Sequence, residues 1–196
     1  METGNHERWA NKWGVDSIMA ALQHIDRISL LELFLFPNTQ FEKVLAMMQR
    51  PFPELRELQL GPEDGKVTLA PIPASFLGGS APHLHLLRLE QIPFPGLPKL
   101  LLSATHLVHL DLRGISRSGY ISPEAMRNCL SVLTKLETLH IVFKSIQSFP
   151  RRESRSSPLP TRTLLPVLSS LWFKGVSDYL EVLVAQIDAP YSKTWM

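Results

Sequence analysis

Cysteine is almost absent: Cys129 is the single one in 196 residues. No intramolecular disulfide can brace the chain, and a reducing compartment is favoured. Long apolar runs are missing too. The longest, Ile28 to Phe36, is broken by Ser29 and Glu32, and Met1 to Arg8 are polar and charged with no apolar signal core. Neither a signal peptide nor a membrane span is expected, so the chain is read as intracellular, cytoplasmic or nuclear. An excess of one charge is also lacking. The 20 Lys and Arg residues oppose 18 Asp and Glu residues for a formal net charge of +2, spread along the chain. That balance offers no strong field to nucleic acid or a membrane surface, and neither is expected as a partner.

What the chain does have is a repeat. Six segments share the pattern Leu-x-x-Leu-x-Leu: Ile28-Leu31-Leu33, Leu55-Leu58-Leu60, Leu84-Leu87-Leu89, Leu107-Leu110-Leu112, Leu136-Leu139-Ile141 and Leu168-Leu171-Phe173. Their starts at 28, 55, 84, 107, 136 and 168 are separated by 27, 29, 23, 29 and 32 residues. Those intervals scatter around the roughly 20–29 residues of leucine-rich repeats. The fold class predicted is α/β: a leucine-rich-repeat solenoid with a concave parallel sheet of about six short strands and irregular helix or turn returns on the convex face.

Helical returns are predicted at Asp16 to His24, Thr39 to Met48 and Pro123 to Leu133. In the second, Phe41, Val44, Leu45 and Met48 recur at helical spacing, so one face is apolar and should lie against the strands. In the third, Ser122 followed by Pro123 and Glu124 suits an N-cap with proline at the first helical position. Ser177 to Ile187 reads as a last helix with a stripe of Tyr179, Leu180, Leu183, Val184 and Ile187. Pro71 to Leu77 and Pro93 to Leu102 carry too much proline for long helices, and short turns of helix are expected there.

With 44% hydrophobic residues the chain can bury one continuous core, and residues 1–196 are read as a single irregular repeat domain. Repeat arrays need polar-faced end units. Neither end supplies a convincing one: after the last helix come Asp188, Ala189 and Pro190, and Trp9, Trp13 and Val15 could cover the first strand or belong to an earlier repeat. The chain is therefore expected to be a piece of a longer array. Residues 145–166 break the pattern with the run Arg151-Arg152-Glu153-Ser154-Arg155-Ser156-Ser157-Pro158 and further proline, and read as a mobile loop insertion. A phosphorylation site at Ser157-Pro158, a basic localisation element and a loop without a role are all compatible with it.

Motifs for chemistry fail on inspection. Gly61-Pro62-Glu63-Asp64-Gly65-Lys66-Val67 is one residue too short between its glycines for a phosphate-binding loop and has Val67 where Ser or Thr belongs. It reads as a turn ending the second strand. Gly114-Ile115-Ser116-Arg117-Ser118-Gly119 misses the nucleophile-elbow spacing by one residue and reads as a flexible turn. His83, His85, His106 and His109, with Asp111 nearby, match no standard ligand spacing and read as surface histidines that need not converge. No carboxylate pair or cysteine–base pair stands out, so no enzyme, cofactor or metal is expected.

Binding is then a matter of surface. Side chains alternate along a strand, so residues between the core positions line the concave face. The middle column is Glu32, Gln59, Arg88, Asp111, His140 and Trp172, a row of roughly 24 Å at a strand separation of about 4.8 Å. The flanking columns are Leu30, Glu57, Leu86, His109, Thr138 and Ser170, and Phe34, Gly61, Glu90, Arg113, Val142 and Lys174. This mixture suits a protein partner better than nucleic acid, which would want a row of Arg or Lys. Arg88 and Trp172 are the anchors such an interface favours.

The strings Phe76-Leu77-Gly78-Gly79-Ser80-Ala81-Pro82, the run Phe94 to Leu107, Ser118 to Met126, Phe173 to Ser177 and Leu183 to Pro190 resemble a group of fungal, basidiomycete-type, F-box-like leucine-rich repeat proteins. The resemblance covers most of the chain. It implies a substrate-receptor role, in which a helical F-box holds the Skp-type adaptor of a cullin-RING ubiquitin ligase and the repeats hold an as yet unknown target. Only 27 residues precede Ile28 and part of them are read as a repeat helix, so the F-box module itself is absent from this sequence. A Skp-type adaptor is a partner only if an F-box lies upstream in the intact protein. The alternatives are a stand-alone repeat scaffold unconnected with ubiquitin, or a truncated remnant without function.

Overall fold

The structure, a computed structural model, describes residues 15–36, 38–62, 71–145, 148–149, 162–190 and 194–195. Six parallel strands are the six repeat segments: β1 (Leu30–Phe36), β2 (Glu57–Pro62), β3 (Leu86–Glu90), β4 (His109–Ile115), β5 (Thr138–Phe143) and, after a short β6 (Thr163–Leu164), β7 (Ser170–Lys174). Each repeat strand pairs with the next repeat strand in the chain, and Thr194–Trp195 (β9) extends the sheet beyond β7. Between them Ile187–Asp188 (β8) pairs with β6 in a separate two-stranded sheet.

The leucine positions align across the sheet. Leu31, Leu58, Leu87, Leu110, Leu139 and Leu171 stand in one register, and so do Leu33, Leu60, Leu89, Leu112, Ile141 and Phe173. Most are fully buried; Leu31 at one end and Phe173 near the other are only partly so, because fewer neighbours cover them. A parallel sheet of this kind needs its apolar face covered by the returning chain. Here α1 (Val15–Ala21), α2 (Asn38–Met47), α3 (Leu97–Ser103), α4 (Pro123–Leu130) and α5 (Ser177–Ala185) supply that cover, with α1 on α2, α3 on α4 and α4 on α5.

The backbone repeats as strictly as the side chains. The carbonyl of Ser29 accepts hydrogen bonds from the N–H groups of Arg56 and Glu57, at 2.8 and 3.0 Å. Arg56, His85, Val108 and Glu137 do the same for the next strand each time, so one repeat position serves as a double acceptor in five successive steps. A turn precedes each of these strands: Leu55, Leu84, Leu107, Leu136 and Leu168 donate to the carbonyls of Phe52, Ala81, Ala104, Leu133 and Leu165. All five acceptor residues are buried.

The helical expectations hold with shifted ends. The stripe Phe41, Val44, Leu45 and Met48 is buried, and the Ser122 side chain caps α4 by accepting from the Ala125 N–H at 3.2 Å, with Pro123 in the first turn. The first helix ends at Ala21 rather than His24 and α4 at Leu130 rather than Leu133. The last helix stops at Ala185, because Ile187 and Asp188 leave it to pair with β6. Pro71 to Leu77 contributes only a single tight turn at Phe76–Gly79, whereas the proline-rich Pro93 to Leu102 stretch still yields seven residues of helix, since Pro98 falls in the first turn where its missing N–H costs nothing.

At the two ends of the 145–166 insertion the described residues are packed. Ser148 and Leu165 are buried, Phe149 packs 4.3 Å from Phe143 between ring centroids, and Thr163–Leu164 is a strand, so both flanks are anchored in the core. Residues 146–147 and 150–161, including Ser157-Pro158 and the basic run, lie outside the described residues, as do residues 63–70, on which most of the expected turn after β2 falls.

Cys129 lies buried in α4 with its thiol 3.6 Å from the Pro98 carbonyl, and burial pushes its pKa up to about 11. Two measurements follow. Leu87→Ala should cost about 2–5 kcal/mol in urea unfolding, as for other fully buried leucines, while its outward neighbour Leu86→Ala should cost less than about 1 kcal/mol. Equal costs would refute the alternation. Cys129 should resist alkylation in the folded chain near neutral pH and react at once in denaturant; because its folded pKa is raised, stability should fall as pH rises from the ordinary thiol range through about 11.

Candidate protein-binding face

The face of the sheet away from the helices carries the residues between the leucines. The middle column holds as read from the sequence: Glu32 pairs with Gln59, Gln59 with Arg88, Arg88 with Asp111, Asp111 with His140 and His140 with Trp172. The column from Leu30 through Glu57, Leu86, His109 and Thr138 to Ser170 is equally continuous, and Glu90, Arg113, Val142 and Lys174 align in the third. The third column changes at its start, where the Phe34 ring lies across Gly61. A Cβ on Gly61 would meet that ring at 2.6 Å, so the glycine is a floor for Phe34 and is buried rather than presented.

Charges on this face are organised around Asp111, whose side chain is only 16% exposed. Its carboxylate accepts from Arg113 Nε at 2.8 Å and lies 3.9 Å from Arg88 Nε and 3.7 Å from His140 Nδ1. Arg88 also donates through Nη2 to Glu90 at 3.1 Å and stacks its guanidinium 5.4 Å above the Phe34 ring. The hydrogen bond to Asp111 raises the Arg113 pKa above its ordinary value against the opposing effect of burial, with the charges of Asp111 and Glu90 adding to the rise. Toward β1, the Gln59 amide donates to the Glu32 carboxylate. Toward β7, Arg113, His140, Val142 and Trp172 line a recess of about 380 Å³.

The six middle-column residues are thus brought onto one surface, and Arg88, Asp111 and His140 into one cluster. The two residues expected as anchors differ in kind: Arg88 is committed to its neighbours, whereas Trp172 is 43% exposed. Arg113, placed only in a flanking column from the sequence, is the cation nearest Asp111. The i, i+2 spacing of Asp111 and Arg113 on one strand is the signal that could have found it, since both then point the same way.

Three of the four histidines lie near one another at the surface. The rings of His83 and His85 each approach that of His106, at 6.3 and 6.2 Å between centroids, because successive repeats place them on adjoining turns. They converge without forming a ligand set: among the described residues no group of three His, Cys, Asp or Glu side chains could hold a metal ion. Gly114 belongs to β4 and Arg117–Gly119 forms a tight helical turn, so that run is built into a strand end. No described helix is long and apolar enough to cross a membrane. No protein-family model, curated protein or solved structure matches the chain.

Asp111→Asn leaves Arg88 and Arg113 facing each other across adjacent strands without the shared counter-charge. We expect a loss of about 1 kcal/mol in urea unfolding at low salt, the scale of one charge-assisted hydrogen bond partly open to water, shrinking in about 1 M NaCl. No change at low salt would show that the cluster is ornamental to stability.

Proposed function

We propose that the chain is a leucine-rich-repeat solenoid whose uncovered sheet face is concave, binds a protein and performs no catalysis. The observation that carries this reading is the five-fold reuse of the same carbonyl as a double acceptor, from Ser29 to Glu137, together with the matched leucine register. A unit that repeats in backbone and core alike supports an array in which each repeat is covered by its neighbours. The outward columns then form a broad, rigid surface of mixed charge with one exposed indole. Mixed charge, with carboxylates beside each guanidinium, disfavours a phosphate backbone and favours a polypeptide.

The resemblance to fungal F-box-like proteins extends the reading: the repeats would be the target-binding part of a substrate receptor in a cullin-RING ubiquitin ligase. A second reading keeps the repeats as a scaffold unconnected with ubiquitin; in both, the described residues ahead of β1 serve as repeat cover, with Leu22 buried in the shared core and α1 packed on α2.

The test is affinity capture from the native cell with the full chain and three variants. Trp172→Ala and His109→Glu change exposed positions of the proposed face, and Glu181→Lys changes an exposed position of α5. A bound protein should be retained by the wild type and Glu181→Lys and lost from the other two. Its equal retention by all four would remove the face from consideration. If it is lost as expected, its ubiquitination on depletion of the Skp-type adaptor decides between the two readings: a fall supports the receptor, no change supports the scaffold.

A further inference from the structure

Along its three outward columns, the face changes charge across the strands. At β1 and β2, Glu32 and Glu57 carry negative charge with no ion pair among the described residues. In the middle, Arg88 with Glu90 and Arg113 with Asp111 cancel. At the β7 end, Lys174 is exposed, and no described carboxylate pairs with it. Between these lies the recess of Arg113, His140, Val142 and Trp172, which no described carboxylate lines.

The recess combines two demands. Val142 and the exposed Trp172 offer an apolar wall beside which a partner's apolar side chain can lose water. Asp111 engages Arg113 only through Nε, which leaves the two terminal nitrogens of the guanidinium as a fork of donors on a side chain 40% exposed. Such a fork matches a carboxylate in two parallel hydrogen bonds. Lys174 stands one residue beyond Trp172 but one on its strand and adds a second positive charge at the same end. A long polyanion laid across the sheet would have to cross Glu57 and Glu32, so the negative group that fits is short.

Resting on the protein-binding reading above, we propose that this recess takes an acidic segment of the partner. A carboxylate binds the terminal nitrogens of Arg113 with Lys174 beside it, and a neighbouring large apolar side chain lies on Trp172 and Val142. The remainder of the segment runs toward β1, where Glu32 and Glu57 select basic or neutral residues. The occupant is therefore a peptide of defined polarity: acidic and apolar at one end, basic at the other.

The test selects from a random dodecapeptide phage library on the folded full chain and measures affinities of the synthetic winners by fluorescence anisotropy. Winners should carry Asp or Glu beside a large apolar residue and weaken as NaCl rises from about 50 to 500 mM. Their binding should drop by about tenfold with Lys174→Glu and by more with Trp172→Ala, while Glu181→Lys leaves it unchanged. Arg113→Ala should weaken them too, and Lys174→Glu keeps the test sound should loss of the Asp111 partner unsettle the fold. Winners that need Trp172 but show no acidic preference and ignore Lys174→Glu would overturn this inference and leave the protein-binding face standing. Winners indifferent to Trp172→Ala, Lys174→Glu and His109→Glu alike would overturn both. A single-stranded oligonucleotide that displaces the winners at comparable concentration would overturn it in favour of a nucleic-acid site.

Discussion

Everything in this fold depends on a strand that cannot bury its own leucines. Leu58, Leu87, Leu110 and Leu139 are each fully buried, yet each strand is short and offers only one apolar face. Leucines in matching register on the next strand cover part of that face, and the returning helix covers the rest. The demand fixes parallel pairing, because a strand can meet the next copy of its own pattern in register only if the chain travels back between them. It also sets a minimum length for the return. The double acceptor at Ser29, Arg56, His85, Val108 and Glu137 is the backbone expression of the same constraint, locking where each strand begins against its predecessor.

With the inward positions fixed, the outward ones follow without freedom to choose a neighbour. Arg88 must stand beside Asp111, and Asp111 beside His140, whatever their charges. Like charges directly opposite would be unfavourable, and the observed order alternates or interposes a neutral group. Asp111 is the most enclosed of these acids and is the one surrounded by three cationic or protonatable groups. Charge on this face is thus balanced in the centre and unbalanced at the ends, which is where the proposed partner would have something to gain.

The sheet was legible in the sequence because its signal is a side-chain period, and periods survive without any knowledge of neighbours. All six strands and two outward columns follow from counting alternate residues. Other features have no period to read. The buried Phe52, Ala81, Ala104, Leu133 and Leu165, three residues ahead of each first leucine, vary too much in size to look like a motif, though the turn they close recurs at every step. Thr163–Leu164 and Ile187–Asp188 are pairs of residues whose strand character exists only because each finds the other. Phe34 over Gly61 and the meeting of His83 and His85 with His106 arise between repeats, from a register that composition cannot express.

The last interval shows what replaces leucine when the repeat lengthens. Between β5 and β7 the core becomes aromatic: Phe143, Phe149, Phe173 and Tyr179 meet with ring centroids 4.3 to 6.1 Å apart, and Tyr120 joins them from the turn before α4. Large rings span a wider gap than leucine and prefer edge-on and offset contacts that fix their orientation. Gly175 is part of the arrangement, since a Cβ there would meet Phe173 at 2.7 Å and Phe143 at 2.8 Å. Tyr179 is buried with its hydroxyl unpartnered among the described residues, and burial holds its pKa above the ordinary phenol value. The same two strands carry the recess on their outer side. Val142 lies between Ile141 and Phe143, and Trp172 between Leu171 and Phe173, so the outward pair is mounted on the residues the aromatic cluster clamps from within. A binding side chain costs least to order when its backbone is already fixed. Under the proposed protein-binding reading, the aromatic layer would do for Trp172 what a well-packed core does for any surface anchor: hold its backbone so that a partner has less motion to arrest.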